Sequence, residues 1–240
     1  MTYSAIIRCV ARTGVALLLV AGCSLSQSPA TCVVGQGGWF AKYTLMANQP
    51  VGACSQKQGE GLGVRKYFPP GQNPQVAIQT DTLGNMALQT PGDPNPIDRP
   101  YSIGALTQDA PDANQICSIP TLSTAEQNVG GSDISYAWSN VRFVVQPNVP
   151  GTQMIASLRY TEGCTAEYKA VGMQPNADCF AVDAQGTPVL DQSGNQVPDD
   201  MRCGPGYFPQ TQVNPDFAVR CDPVLLKCVL TADPPSLVAR

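Results

Sequence analysis

The chain has 240 residues, with 14 Lys and Arg against 18 Asp and Glu, a formal charge of −4 and no histidine. That acidic balance, without any Lys/Arg-rich run, argues against nucleic acid or an anionic lipid surface as partner, because both need a basic footprint. The lack of histidine excludes Ser-His-Asp and Cys-His catalysis and His-ligated zinc, and GxSxG, SxxK and GxxxxGK[ST] are absent as well.

The chain opens with Arg8 and Arg12, an aliphatic run from Val15 to Val20, then Ala21 and Gly22 before Cys23, and no acid before Glu60. A charged start, a short apolar stretch and small residues at a cleavage point describe a secretory leader. The run is about half of the roughly 20 apolar residues that a membrane-spanning helix needs. Val20-Ala21-Gly22-Cys23 resembles the lipobox of bacterial lipoproteins. The resemblance implies that residues 1–22 are a signal peptide, that the Cys23 sulfur takes diacylglycerol, and that the new amino terminus is acylated with palmitate-type chains. Each buried methylene contributes about 0.8 kcal/mol, and more than one chain makes a stable membrane anchor. Ser24 stands where an Asp retains enteric lipoproteins at the inner membrane, so the same resemblance implies the outer membrane, with the periplasmic or surface face left open. Residues 23–31, "CSLSQSPAT", form a polar tether.

Cleavage before Cys23 leaves 218 residues, enough for one domain with or without a small appendage. With Cys9 removed and Cys23 lipidated, eight cysteines remain: Cys32, Cys54, Cys117, Cys164, Cys179, Cys203, Cys221 and Cys228. An even number in an exported chain points to disulfides formed in an oxidising compartment. Short separations favour Cys32 with Cys54 and Cys221 with Cys228, although sequence alone leaves the connectivity open. Without CxxC or histidine, zinc is disfavoured.

Strands are expected at "GWFAKYTLM" (38–46), "QVAIQTD" (75–81), "NMALQT" (85–90), "YAWSNVRFVVQ" (136–146), "TQMIASLRYTE" (152–162) and "AEYKAVGM" (166–173), and at "FAVRCD" and "LLKCVLT" within 217–231. In "MIASLRY" the alternation puts Ile155, Ser157 and Arg159 on one face and Met154, Ala156, Leu158 and Tyr160 on the other. Turn signals at "QPNVPG" and "TEGCT" make the last three long strands consecutive and antiparallel. Short helices are expected only near "PDANQIC" (111–117) and "LSTAEQNV" (122–129). "PPGQNPQ" (69–75) and "TPGDPNPIDRPY" (90–101) are Pro-rich surface connections. The expected fold is all-β: an antiparallel β-sandwich or jelly-roll-like domain over 32–173, stapled by disulfides, with a cysteine-rich part over 174–240 packed on it.

Few residues offer chemistry. In "DAQGTPVLDQSGNQVPDD", Asp183, Gly186 and Val189 recur as Asp191, Gly194 and Val197. Asp183, Asp191, Asp199 and Asp200 are thus candidate calcium ligands, with paired Asx turns as the plainer alternative. No other cofactor is expected. Glu162 and Glu167 flank a turn and could face each other as a carboxylate pair. Aromatics cluster as Trp39, Phe40 and Tyr43, as Tyr67 and Phe68, as Tyr136 and Trp138, and as Tyr207 and Phe208. Tyr136 and Trp138 share one strand face. Turned outward they would make a ligand surface, and turned inward they are core.

"CVVGQGGWFAKYTL", followed by Cys54 and "GLGVRKYF", resembles the opening of myxobacterial surface lipoproteins of the MlpA type. The "CDPVLLKCVL" ending fits the same setting. The resemblance implies an outer-membrane lipoprotein and brings no catalytic residue. The expected role is structural or protein-interacting at the cell envelope, not enzymatic, with an envelope protein or glycan as partner. A carbohydrate- or peptide-binding module is the alternative, and a carboxylate-dependent hydrolase a more distant one.

Overall fold

The computed structural model describes residues 31–89, 99–129 and 132–239; the leader, Cys23 and most of the 90–101 connection lie outside them. Nine strands make one sheet: β1 (Gly37–Leu45), β2 (Gly59–Tyr67), β3 (Gln75–Thr80), β4 (Ser102–Ala105), β5 (Ile116–Thr121), β6 (Ala125–Val129), β7 (Ser132–Gln146), β8 (Val149–Glu162) and β9 (Thr165–Met173). The order is β4-β3-β2-β1-β9-β8-β7-β5, with β6 also on β7, and each named pairing is antiparallel. The two ends of this sheet approach each other. Ser123 N–H donates to the Ile103 carbonyl at 2.8 Å, and Thr107 N–H to the Ser118 carbonyl at 2.9 Å. A nearly closed sheet leaves little unpaired edge, which is how all-β proteins avoid edge-to-edge association.

Alternation decides what fills the interior. Along β8, Met154, Ala156, Leu158 and Tyr160 are buried while Ser157 and Arg159 are exposed, as the pattern predicts. The two halves of the rolled sheet face each other as sandwich layers do. Trp39 on β1 meets Phe143 on β7 edge-on at 5.7 Å, and Tyr43 meets Trp138 at 6.1 Å. Such pairs contribute about 0.5–1.5 kcal/mol beyond their area.

Several local expectations are overturned. "NMALQT" is not a strand but part of helix α1 (Asp81–Gln89), whose Leu83 is buried and whose first turn carries Asp81. Met86 and Leu88, two residues apart, read as one strand face, but the Asp that follows β3 favours a helix start, and the helix leaves Leu88 exposed while Met86 packs on the core. The two expected helices are strands instead: "LSTAEQNV" supplies β6, and "PDANQIC" ends in β5, with Cys117 and Ile119 buried in alternation. Pairing along β7 outweighs the helix propensity of Ala125, Glu126 and Gln127. β2 escapes sequence reading because Gly59, Gly61 and Gly63 lower strand propensity. Among the described residues no helix is long and apolar enough to cross a membrane.

Residues from Thr31 onward pack as one unit. The C-terminal part includes helix α2 (Phe208–Thr211) and the hairpin of β10 (Val219–Asp222) and β11 (Lys227–Leu230). It builds a second core in which Val144, Val149 and Met173 of the large sheet pack with Val213, Phe217 and Leu230. Buried Gln153 exchanges two hydrogen bonds with the Ser236 backbone, at 3.0 and 2.8 Å. Lys42 on β1 reaches Asp222 at 2.6 Å. Burial raises the Asp222 carboxyl, but the Lys42 ammonium and the N–H groups of Leu225 and Val224 outweigh it and hold its pKa below the usual value.

All eight cysteines of 32–228 are paired, but not locally. The bonds are Cys32–Cys117, Cys54–Cys164, Cys179–Cys221 and Cys203–Cys228. The expected Cys32–Cys54 and Cys221–Cys228 bonds are therefore wrong. Cys32 is held beside the segment entering β5, where its N–H donates to the Asp109 carbonyl at 2.7 Å. Cys221 and Cys228 do sit opposite each other on β10 and β11, yet each bonds a sulfur from outside the hairpin.

Candidate functional site

Tyr136 and Trp138 share a face, and it is the inner one: they are 0% and 1% exposed. They are core residues, and no ligand surface exists there. β7 is covered by β5, β6 and β8 along its length, and its inward face closes onto β1.

Around Tyr136 lies a buried polar cluster that no local pattern in the sequence announces. Glu60, buried on β2, accepts at Oε1 from Tyr136 Oη at 2.7 Å and from Tyr43 Oη at 3.3 Å. Its Oε2 accepts from Thr82 N–H, in the first turn of α1, at 3.0 Å. Lys57 Nζ lies 3.4 Å from Glu60 and donates to Thr82 Oγ1 at 2.8 Å. The same ammonium stands 5.7 and 5.2 Å from the ring centres of Tyr136 and Tyr160. Tyr160 in turn donates to Glu162 at 2.6 Å. Burial, then the adjacent carboxylates, push the phenols of Tyr43, Tyr136 and Tyr160 far above the ordinary tyrosine value. They are neutral donors: Tyr43 and Tyr136 satisfy the buried Glu60 and so tie β1 and β7 to β2, while Tyr160 bonds the half-buried Glu162.

Glu162 and Glu167 do not form a pair across their hairpin. Glu162 follows Tyr160 on the inner side, whereas Glu167 points outward beside Arg159. The unbroken register of β8 and β9 sets Thr161 opposite Thr165 and Arg159 opposite Glu167, so the two acids are not cross-strand partners.

The four aspartates considered for calcium do not converge. Asp183 Oδ1 accepts from the N–H groups of Gln185 and Thr187 at 2.9 and 2.8 Å, and Asp191 Oδ1 from Ser193 and Asn195 at 2.8 and 2.9 Å. Gly186 and Gly194 both take φ 83° to close these turns. Asp199 caps the turn at Met201, and Asp200 accepts from Cys221 N–H. The eight-residue echo is thus a repeat of backbone structure: Val189 N–H bonds the Ala181 carbonyl, Val197 the Val189 carbonyl, and Ala181 the Val197 carbonyl. The N–H groups of Asn195 and Ser193, which donate to the Asp191 carboxylate, hold its pKa below the usual value. Among the described residues the group of metal-type ligand atoms within 4.8 Å of one another is Cys179, Cys203 and Cys228, and all three are in disulfides.

The concave feature with an unusual lining lies on the outer face of β1–β4. It is a groove of about 820 Å³ bordered by Tyr67, Phe68 and Tyr101, with Arg65, Gln75 and Gln79 along it and Gly37, Gly63 and Ala77 as its floor. Pairing of β2 with β3 and of β3 with β4 sets these residues side by side. Tyr67, Phe68 and Tyr101 are 44%, 69% and 48% exposed. Phe68 is oriented by Lys66, whose Nζ sits 4.7 Å from the ring centre and also donates to the Cys32 carbonyl and to Asp109. The doublet Tyr67-Phe68 is visible in the sequence, but nothing local connects it to Tyr101.

A family model described as MlpA matches residues 37–175, which run from β1 to just past β9. No curated protein and no solved structure matches. The matched stretch is the whole nine-stranded sheet, more than half of the chain, and on that basis the chain belongs to the MlpA family.

Proposed function

We propose that the chain is a lipid-anchored, non-enzymatic protein of the cell envelope, held at the outer membrane through Cys23 and acting by structure or by interaction with an envelope partner. The observation that carries this reading is the four-disulfide framework on a sheet of the MlpA family. Such a framework needs an oxidising compartment, and of the two cysteines outside it, Cys9 falls within the leader and Cys23 stands at the lipobox, available for lipid. The role as a non-enzyme is supported by the fate of the buried acids and phenols. Glu60, Tyr43, Tyr136 and Tyr160 bond one another or their neighbours, and the tyrosines are held neutral. No resident cofactor is required by this reading.

The experiment is metabolic labelling with palmitate, followed by membrane fractionation of the wild type and Cys23→Ala. Label entering the wild type alone, with the variant leaving the outer-membrane fraction, supports the anchor. An unlabelled wild type that fractionates like the variant would sink it.

A further inference from the structure

We propose that the groove over β1–β3 binds a glycan strand carrying carboxylates, with sugar rings stacked on Tyr67, Phe68 and Tyr101 and a carboxylate held by Arg65. The site is independent of the lipid anchor. Its volume of about 820 Å³ falls within the roughly 300–1,000 Å³ typical of ligand clefts. Large exposed aromatics gathered at one place, while those of the core are fully covered, mark an interaction surface. Tyrosine suits the task because its ring is apolar on the face and polar at the tip.

The floor supplies a second, separate observation. Gly61 and Gly104 are needed by packing: a Cβ would come within 2.0 Å of Asp81 Oδ2 in the first case and 2.6 Å of the Thr121 carbonyl in the second. Gly63 has no such need. A Cβ there would meet nothing nearer than the Gln79 carbonyl at 3.9 Å, and no positive φ requires glycine. Glycine inside a strand weakens it and marks places where a ligand comes close to the backbone. Here it leaves a flat bare strip between the aromatics and Gln79.

The position on the sheet selects the ligand class. A peptide that adds a strand needs a free sheet edge, but β2 is paired on both sides, by β1 and β3. A ligand on this face must be recognised through side chains. A pyranose ring matches it, with C–H faces for stacking and hydroxyls for Gln79. Charge narrows the class further. Arg65 is the charged residue among the described ones lining the groove, no acid lines it, and no ion pair engages Arg65 among the described residues. Its planar fork fits a carboxylate in bidentate fashion. The chain's overall −4 charge opposes this only at long range, and salt near 0.15 M screens it over about 8 Å.

The test is direct titration of the detergent-extracted native protein, at about 0.15 M salt, against a panel of uronic-acid oligosaccharides and their carboxyl-reduced neutral counterparts. At least one acidic oligosaccharide is expected to bind about tenfold more tightly than its neutral twin, which corresponds to about 1.4 kcal/mol. Arg65→Gln should erase that preference while leaving the neutral affinity unchanged, and Tyr67→Ala with Tyr101→Ala should weaken both. Both residues are exposed, so these variants keep the fold. Equal wild-type affinity for each acidic and neutral pair would overturn the carboxylate assignment. Absence of binding across the panel would overturn the glycan site itself.

Discussion

Replacing Glu60 by Leu tests whether the buried cluster holds β1, β2 and β7 together. The substitution removes the acceptor of three donors: Tyr136 Oη at 2.7 Å, Tyr43 Oη at 3.3 Å and Thr82 N–H at 3.0 Å. Each buried donor left unsatisfied costs about 1–3 kcal/mol. Lys57 also loses its carboxylate, although its side chain is 20% exposed and keeps Thr82 Oγ1, so its contribution is at the small end. Burying the leucine side chain returns about 1.5–3 kcal/mol. The net expectation is a loss of about 3–5 kcal/mol, the range seen when one partner of a buried pair is removed. That is a large share of the roughly 5–15 kcal/mol available to a folded domain. The assay is urea unfolding with the disulfides intact, reading a lowered midpoint at unchanged slope. Adding Tyr43→Phe and Tyr136→Phe to Glu60→Leu should recover much of the loss, because the orphaned hydroxyls disappear with their acceptor. A single Glu60→Leu loss below about 1 kcal/mol, close to that of an ordinary surface change, or a triple variant weaker than the single one, would show that the cluster does not hold these strands together.

The same tyrosines predict alkaline lability. Their folded pKa values are raised, so stability is complete below the unfolded value of about 10 and falls above it, as the unfolded chain releases protons first, by up to about 1.4 kcal/mol per pH unit for each tyrosine. Urea midpoints that stay level between about pH 9 and pH 11 would contradict this linkage. Gly151→Ala and Gly163→Ala make an informative pair, since both glycines have positive φ, 70° and 67°. At 163 a Cβ meets nothing within 4 Å, and only the left-handed backbone cost of about 1–2 kcal/mol applies. At 151 it would lie 2.0 Å from the Val33 carbonyl oxygen, adding about 1–3 kcal/mol of overpacking; equal thermal shifts for the two variants would argue against that contact. Finally, Cys54→Ser with Cys164→Ser opens a bond of sequence separation 110, for which chain entropy predicts a loss of about 4–5 kcal/mol, to be measured by chemical unfolding against the intact protein.

What was legible in the sequence follows from where period and environment agree. β1, β3, β7, β8 and β9 combine β-branched and aromatic residues with a clear alternation, and each lies with one face in the core. β2 has the same alternation in Glu60, Leu62 and Val64, but glycines fill its outward positions and hide it. Of those glycines, Gly63 belongs to the groove floor, whereas Gly61 is required by packing against Asp81. Glu60 reads in sequence as an isolated charge among glycines, because its tyrosine partners arrive from β1 and β7. Alternation placed Tyr136 and Trp138 on a common face, yet which face is inward depends on sheet closure, a non-local property. The disulfides fail for the same reason: nearness along the chain said nothing about Cys32 meeting Cys117 across 85 residues. The aspartate echo is the reverse case, a true repeat whose period reports stacked turns and no converging ligands.

A lipid-anchored envelope domain with four disulfides has a distinctive intact mass, to be measured on the membrane-extracted native protein before and after reduction. The expected mass is that of a chain lacking residues 1–22, heavier by its acyl groups, that gains eight hydrogens on reduction of the four bonds. A mass without lipid would leave Cys23 an ordinary thiol and overturn the anchor, and a gain other than eight would overturn the four-bond framework.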